Sequence, residues 1–393
     1  MPIDPKTLTA DWSFPTEIHI GPGRLREVPS LCREKGISRP LIVTDPGLAG
    51  LPMVARLQAM LADEALVAGL FADLQPNPNE TEVAAGVQVF RDGGHDGVIA
   101  FGGGSALDAG KAIAFQSGQS RALADFEDVG DNWRRADAAA IAPVVAIPTT
   151  AGTGSEVGRA AVITQGDSGI KRIIFHPGMM PQAVVADPEL CVGLPPNLTA
   201  ATGMDALTHS LEAFCAPGFH PLADGVALEG LRLCAEWLPK AYADGADIAA
   251  RTHMLVAASM GATAFQKGLG AVHSISHAVG ALYGTHHGLT NAIVLPYVLQ
   301  FNRPEIEQKF AQLGRTLGLP DPTFDSVFEW IMALRRTVGI PHGLSEIAVD
   351  SKQCDRIAQL AHADPTRAGN PRIVGVSDLK EIFVNAVEGR LQE

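Results

Sequence analysis

The sequence predicts an α/β N-terminal domain built on a mainly parallel sheet, followed by an all-α C-terminal domain. Three observations predict it. Up to about residue 190, short apolar runs alternate with helical stretches. Two of those runs open directly into loops rich in glycine or hydroxyl residues. Beyond about residue 195 the apolar positions follow helical spacing and strand-like runs become scarce. The boundary falls at residues 192/193, giving domains 1–192 and 193–393.

The elements follow in order. Pro40 to Gly47 reads as a buried strand that ends in an Asp45-Pro46-Gly47 turn, and residues 50–62 as an amphipathic helix. Leu66 to Phe71 is a second strand. The Pro- and Asn-rich segment Gln75 to Asn79 is a loop before a helix over 80–92. Asp96 to Phe101 is a strand entering Gly102-Gly103-Gly104-Ser105, with a helix behind it. Pro143 to Pro148 is a strand entering the loop Thr149 to Glu156. Pro195-Pro196-Asn197-Leu198-Thr199 signals a helix start. Further helices are expected at 222–243, 248–266, 304–317, 323–337 and 351–362.

The glycine loop at 102–105 brings backbone amides and a helix N-terminus to one place, an arrangement that suits a phosphate. It is not a P-loop: the Gly104-to-Gly110 spacing is one residue too long, and Ala112 replaces the magnesium-binding hydroxyl. The same pattern also serves as a plain strand-to-helix turn. The 149–156 loop adds four hydroxyls and two glycines at another strand end, and two such loops favour an extended ligand such as a dinucleotide. Asp45, ending its strand, is placed to accept hydrogen bonds from an adenosine ribose and to repel a 2′-phosphate.

The second half holds Asp205 and His209, four residues apart, and His273 and His277, likewise four apart, then His286 and His287. Residues at i and i+4 share a helix face, so each pair can point at one spot. Imidazoles with one carboxylate suit a borderline divalent ion such as Fe(II) or Zn(II). Metal residues in one domain and glycine loops in the other place the expected site between the domains.

Composition narrows the partners. With 393 residues, 46% hydrophobic and 19% charged, the chain can bury a large core. A formal charge of −13 argues against nucleic acid or an anionic membrane as partner. The five cysteines are scattered and free of C-x-x-C spacing, which points to reduced thiols in the cytoplasm. No basic-then-apolar leader and no run long enough to span a membrane is evident.

Taken together, the chain resembles the iron-containing (group III) alcohol dehydrogenase family. The resemblance runs from Phe14-Pro15-Thr16 through Gly102 to Ser105 with Asp108 and Lys111, and through Pro148 to Glu156. It is densest over Thr199 to His209 and over His273-x-x-x-His277-x9-His287-Gly288, and Asn370-Pro371-Arg372 also fits. It implies a dehydroquinate synthase-like fold, an NAD cofactor and one divalent metal. The family's ligands fall on Asp205, His209, His273 and His287, and its non-ligand histidine on His277, the expected proton relay. The residues assigned to the cofactor are Asp45, Gly102, Gly103, Gly104, Ser105, Asp108, Thr149, Thr150, Thr153, Ser155 and Lys171. The implied activity is hydride transfer between a small primary alcohol and nicotinamide, in a homodimer or larger homo-oligomer. An NAD-dependent lyase of the dehydroquinate synthase type is the rival on this fold, but its motif has glutamate where this chain has Asp205. A glycerol dehydrogenase would lack His209, and a silent NAD-binding protein has no use for an intact ligand set.

Departures concern the substrate pocket. His286 stands where many members have proline and is expected to line the pocket. Ala264 replaces a common Phe, and Phe265 a small polar residue. Ala264 to Lys267 are expected on the same helix as His273, with Gln266 on its metal-facing side and Lys267 a solvated or domain-interface charge. A substrate without an acidic group follows, with an ω-hydroxy acid as the alternative.

Overall fold

The structure is a computed structural model that describes residues 16–166 and 170–391. Phe14 and Pro15, where the family resemblance begins, lie outside the described residues. The strands are β1 (Glu17–Ile20), β2 (Pro40–Val43), β3 (Gly69–Phe71), β4 (Gly97–Gly102), β5 (Val144–Pro148), β6 (Ala160–Gln165), β7 (Ile170–Phe175) and β8 (Ala183–Ala186). The helices of the first half are α1 (Val28–Glu34), α2 (Pro46–Ala49), α3 (Pro52–Asp63), α4 (Glu80–Asp92) and α5 (Gly104–Gln116). Those of the second half are α6 (Pro196–Cys215), α7 (Pro221–Ala243), α8 (Ile248–Ala264), α9 (Ala271–Tyr283), α10 (His287–Thr316), α11 (Phe324–Thr337), α12 (Cys354–Ala363) and α13 (Val376–Glu388).

Two compact units result. Among the described residues, one holds Thr16–Thr150 together with Gly154–Gly193, the other Ala151–Thr153 and the residues from Leu194 onward. In the first unit, six strands pair in the order β1-β8-β5-β4-β2-β3, all parallel. Every residue of β2, β4, β5 and β8 is buried, as expected of a parallel sheet covered on both faces. Leu25, Leu31, Leu57 and Leu61 pack with Ile42, Ile99, Val145 and Val185. Because β5, β4 and β2 are neighbours and parallel, their carboxyl ends stand side by side. These are the ends that carry the 149–156 loop, the glycine loop and Asp45.

The sequence did not foretell β6 and β7, an antiparallel two-stranded sheet beside the main one. The second unit is helical throughout its described regular elements, including α13, which was not anticipated. Its long α10 runs through Pro296 and Pro304, although proline usually ends a helix. Sequence reading started that helix at residue 304. Its first half is buried almost throughout, and packing there holds the backbone helical despite the missing N–H groups. Among the described residues, no helix is long and apolar enough to cross a membrane.

Candidate metal centre

α6 is buried on nearly every residue from Thr199 to Cys215, so its polar side chains must find partners inside the protein. Asp205 and His209 stand one turn apart on it, as the spacing predicted. α9 supplies His273 and His277, and α10 begins at His287. One ligand atom from each of Asp205, His209, His273 and His287 lies within 4.8 Å of the others. The His209 and His273 rings stack at 4.7 Å, and those of His273 and His287 lie 5.3 Å apart. Three of the four residues are buried. The His287 side chain keeps 27% of its exposure, so the site opens on that side.

Glycines permit this convergence. A Cβ on Gly288 would lie 2.5 Å from the Ala201 carbonyl oxygen and 3.0 Å from Asp205 Cβ. Only a bare backbone lets the first turn of α10 come this close to α6. A Cβ on Gly261 of α8 would likewise lie 3.0 Å from the Ala206 carbonyl oxygen and 3.1 Å from His209 Cβ.

Burial pushes the His209 imidazolium down to about 4, so this ring is neutral at physiological pH, as a ligand must be. At His273 burial acts the same way and is the largest single cause, but the Glu212 carboxylate, with Asp205 and Asp364, outweighs it and the pKa is raised. Asn291 was not singled out from sequence, although it lies one turn after His287. Its Nδ2 is 2.7 Å from Asp205 Oδ1, 3.2 Å from His273 Nε2 and 3.1 Å from His287 Nε2. One amide group, with two N–H bonds, thus faces three acceptors, and its own Oδ1 is buried without a partner. A focus of lone pairs crowded round a single donor fits a cation, and three imidazoles with one carboxylate fit Fe(II) or Zn(II).

His277 lies beside the cluster, its ring stacked 5.2 Å from that of His287. Its Nδ1 hydrogen-bonds Asp364 Oδ2 at 2.8 Å. Asp364, another residue missed from sequence, also accepts from the Thr366 amide at 2.9 Å. Burial alone would raise the Asp364 carboxyl, but His277 and the hydrogen bonds from Thr366 together outweigh it and hold it below the usual range. With Nδ1–H given to the carboxylate, His277 Nε2 carries the lone pair.

The segment before α9 departs from expectation. α8 ends at Ala264, a 3₁₀ turn covers Phe265–Lys267, and Gly268 with φ 139 breaks the chain before α9. Ala264 to Lys267 are therefore not on the helix of His273. Gln266 does not share its metal-facing side: it is exposed and donates to the Thr263 carbonyl. Phe265 does reach the site, with its ring 5.3 Å from that of His209. His286, next to His287, is exposed and caps α10, its Nδ1 accepting from the Leu289 amide. Lys267 is not solvated either. Its side chain is 2% exposed and its Nζ donates to Asp224 Oδ1 at 2.5 Å, while Lys309 holds the other oxygen at 2.8 Å. Removing that carboxylate leaves a buried ammonium with no counter-charge and only the Phe214 carbonyl to accept from it, at 3.2 Å. Asp224→Ala is expected to cost about 3–5 kcal/mol, read from the urea midpoint. A wild-type midpoint would show the pair to be unimportant.

The cofactor residues lie as follows. Asp45 caps α2, its Oδ1 accepting from Leu48 N at 3.0 Å. Gly102 has φ 151, and a Cβ there would lie 2.7 Å from Ala106 Cβ and 3.6 Å from Asp45 Oδ2. Gly103 precedes α5, whose first turn begins with Gly104 and Ser105. Ser105 Oγ bonds the Pro76 carbonyl. Thr149 N donates to the Gly102 carbonyl at 3.0 Å, linking the two loops, and Thr150 lies against Gly103. Asp108 accepts from Ser155 Oγ at 2.5 Å and from Val162 N at 2.9 Å, and pairs with buried Lys111 at 3.2 Å. Asp108 and Ser155 thus brace the loop against β6. Thr153 falls in the short segment grouped with the helical unit, and Lys171 stands on β7 opposite Thr164.

Residues 15–188 match the pattern described as iron-containing alcohol dehydrogenase, and residues 199–387 that of the family's C-terminal part. The chain belongs to the iron-containing alcohol dehydrogenase family. It is 39% identical to a 4-hydroxybutyrate dehydrogenase of Cupriavidus necator, over 94% of this chain and 97% of the relative. It is 37% identical to an NAD-dependent methanol dehydrogenase of Bacillus methanolicus, over the same shares. The crystal structure of a 1,3-propanediol oxidoreductase superposes with a TM-score of 0.90 at 32% identity, covering 96% of this chain and 99% of that one. The chain is thus an oxidoreductase on the dehydroquinate synthase-like fold that its sequence implied.

Proposed function

We propose that this enzyme transfers hydride between a small, uncharged primary alcohol and NAD, with one Fe(II) or Zn(II) held by Asp205, His209, His273 and His287. The observation that carries the proposal is the convergence of these four donors, three of them buried and His287 partly exposed. When bound, a divalent ion supplies a Lewis acid that polarises the substrate oxygen. The chain's own residues do the rest. His277 Nε2 accepts the alcohol proton, and Asp364 keeps the ring in the tautomer that makes this possible. Phe265 gives the site an apolar wall against His209.

The α5 N-terminus and the amides of the glycine loop suit a pyrophosphate. Asp45 Oδ2, free of the capping bond made by Oδ1, suits ribose hydroxyls and opposes a 2′-phosphate. Asp45→Gly is therefore expected to narrow the preference for NAD over NADP by at least about tenfold, the equivalent of about 1.4 kcal/mol. Steady-state kinetics with both cofactors decide this, and equal kcat/KM values in the unaltered enzyme would remove Asp45 as the selector. The reading extends to a cytoplasmic homo-oligomer. Cysteines that are free in the structure are compatible with that compartment, and sedimentation equilibrium reads the assembly.

A second reading, an ω-hydroxy acid as substrate, is favoured by the 4-hydroxybutyrate dehydrogenase relative. It needs a cation in the pocket, and Lys267 is already committed to Asp224. The test is NADH absorbance with short aldehydes, alcohols, diols and ω-hydroxy acids, with and without added Fe(II) or Zn(II). Metal-dependent turnover of uncharged substrates is the expected result. A strong preference for the acids that vanishes in Lys267→Ala would replace the first reading with the second.

A further inference from the structure

We infer that Glu212 is a positioning residue of the metal centre, one carboxylate that fixes both the His273 ring and the start of the helix that carries it. The inference rests on reading Asp205, His209, His273 and His287 as metal ligands. α9 opens after Gly270, which has no side chain to satisfy the free amides of the first turn. Two distant side chains take the first two of them instead. Asn370 Oδ1 accepts from Ala271 N at 3.1 Å, and Glu212 Oε1 accepts from Val272 N at 2.8 Å. The second oxygen, Glu212 Oε2, lies 2.5 Å from His273 Nδ1. Asn370 is itself held by a reciprocal amide pair with Asn302, at 3.0 and 2.8 Å. Gly270 makes the room: a Cβ there would sit 2.9 Å from both Asn370 Oδ1 and Glu212 Oε1.

The chemistry requires a carboxylate. Ionised, it accepts at both oxygens and donates nothing, so it serves two N–H donors at once. Holding Nδ1–H fixes the tautomer in which His273 Nε2 keeps its lone pair, the atom that faces the Asn291 amide at 3.2 Å. The negative charge also complements the amino end of α9. Glutamine has the same shape but one acceptor. If its oxygen keeps Val272 N, its NH2 turns on Nδ1 and forces the proton to Nε2, where it blocks a ligand bond. If its oxygen keeps Nδ1–H, its NH2 meets the Val272 N–H donor to donor, and the helix start loosens. Either arrangement weakens a metal held through Nε2.

The experiment compares full-length Glu212→Gln and Asn370→Ala with the unaltered protein. Zn(II) affinity is measured by chelator competition, and thermal unfolding is measured on metal-free protein. Glu212→Gln is expected to lose about ten- to hundredfold in Zn(II) affinity. Asn370→Ala removes the neighbouring cap but leaves the bond to His273. It is expected to lower the metal-free melting temperature while Zn(II) affinity stays within about threefold. A purely structural Glu212 predicts the same pattern for both variants. Should circular dichroism show Glu212→Gln unfolded, Glu212→Asp, charged but one methylene short, takes its place. Unchanged Zn(II) affinity in the folded variant, or a loss no larger than that of Asn370→Ala, overturns the inference while leaving the metal centre standing. Unaltered protein that takes up no Zn(II) overturns both.

Discussion

His273→Ala is expected to lose metal binding and turnover together while the protein stays folded. His273 is the most enclosed of the candidate ligands, with Glu212 behind it, His209 stacked on one side and Asn291 in front. Alanine deletes a donor nitrogen and leaves Glu212 Oε2 buried without its partner. The unpaired oxygen costs about 1–3 kcal/mol, within what a domain of this size tolerates. Loss of the Lewis acid is far more severe, and kcat is expected to fall by about 10³-fold or more, in the range seen when a group stabilising developing charge is removed. Metal content of the purified variant, circular dichroism and NADH-linked turnover are the three measurements. Full metal occupancy with normal activity would refute the ligand assignment.

Gly288→Ala should damage the same centre without touching a ligand. The added methyl would lie 2.5 Å from the Ala201 carbonyl oxygen, a backbone atom that cannot rotate away. The first turn of α10 must then move off α6. His287 immediately precedes Gly288 and starts 3.7 Å from Asp205 Oδ1, so the displacement separates two ligands. Overpacking of this kind costs about 1–3 kcal/mol. Metal affinity is expected to fall by more than about tenfold, and activity with it. Saturating Zn(II) should restore part of the activity, since all four donors remain. Wild-type affinity in this variant would mean that α10 is not held against α6 as described.

Local spacing made the helical part of the site legible. Asp205 and His209 are one turn apart on α6, so a fixed rise per residue places both on one face before any tertiary contact is known. The same rule reaches further than it was applied. Glu212 lies one turn past His209, and Asn291 one turn past His287, and both belong to the site. Asp364 and Asn370 are different. They meet His277 and Ala271 across 87 and 99 residues of chain, and no local pattern encodes such a pairing. The role expected of Lys267 failed for a related reason. Helical geometry was extended through Gly268, where the backbone turns to φ 139 and the helix stops.

By itself, the sequence determined the class of the two halves, the helical register of the paired candidate ligands and the glycine turn that begins at Gly102. Each follows from a repeat, a propensity or a motif confined to a few neighbouring residues. Tertiary structure alone decided that α10 continues through two prolines, that β6 and β7 pair beside the main sheet, and that Lys267 is buried with Asp224. It alone decided, too, that a carboxylate on α6 and an amide near the C-terminus begin α9. Those outcomes depend on which buried polar groups meet inside the packed chain, and burial leaves each of them needing a partner that only the fold can bring.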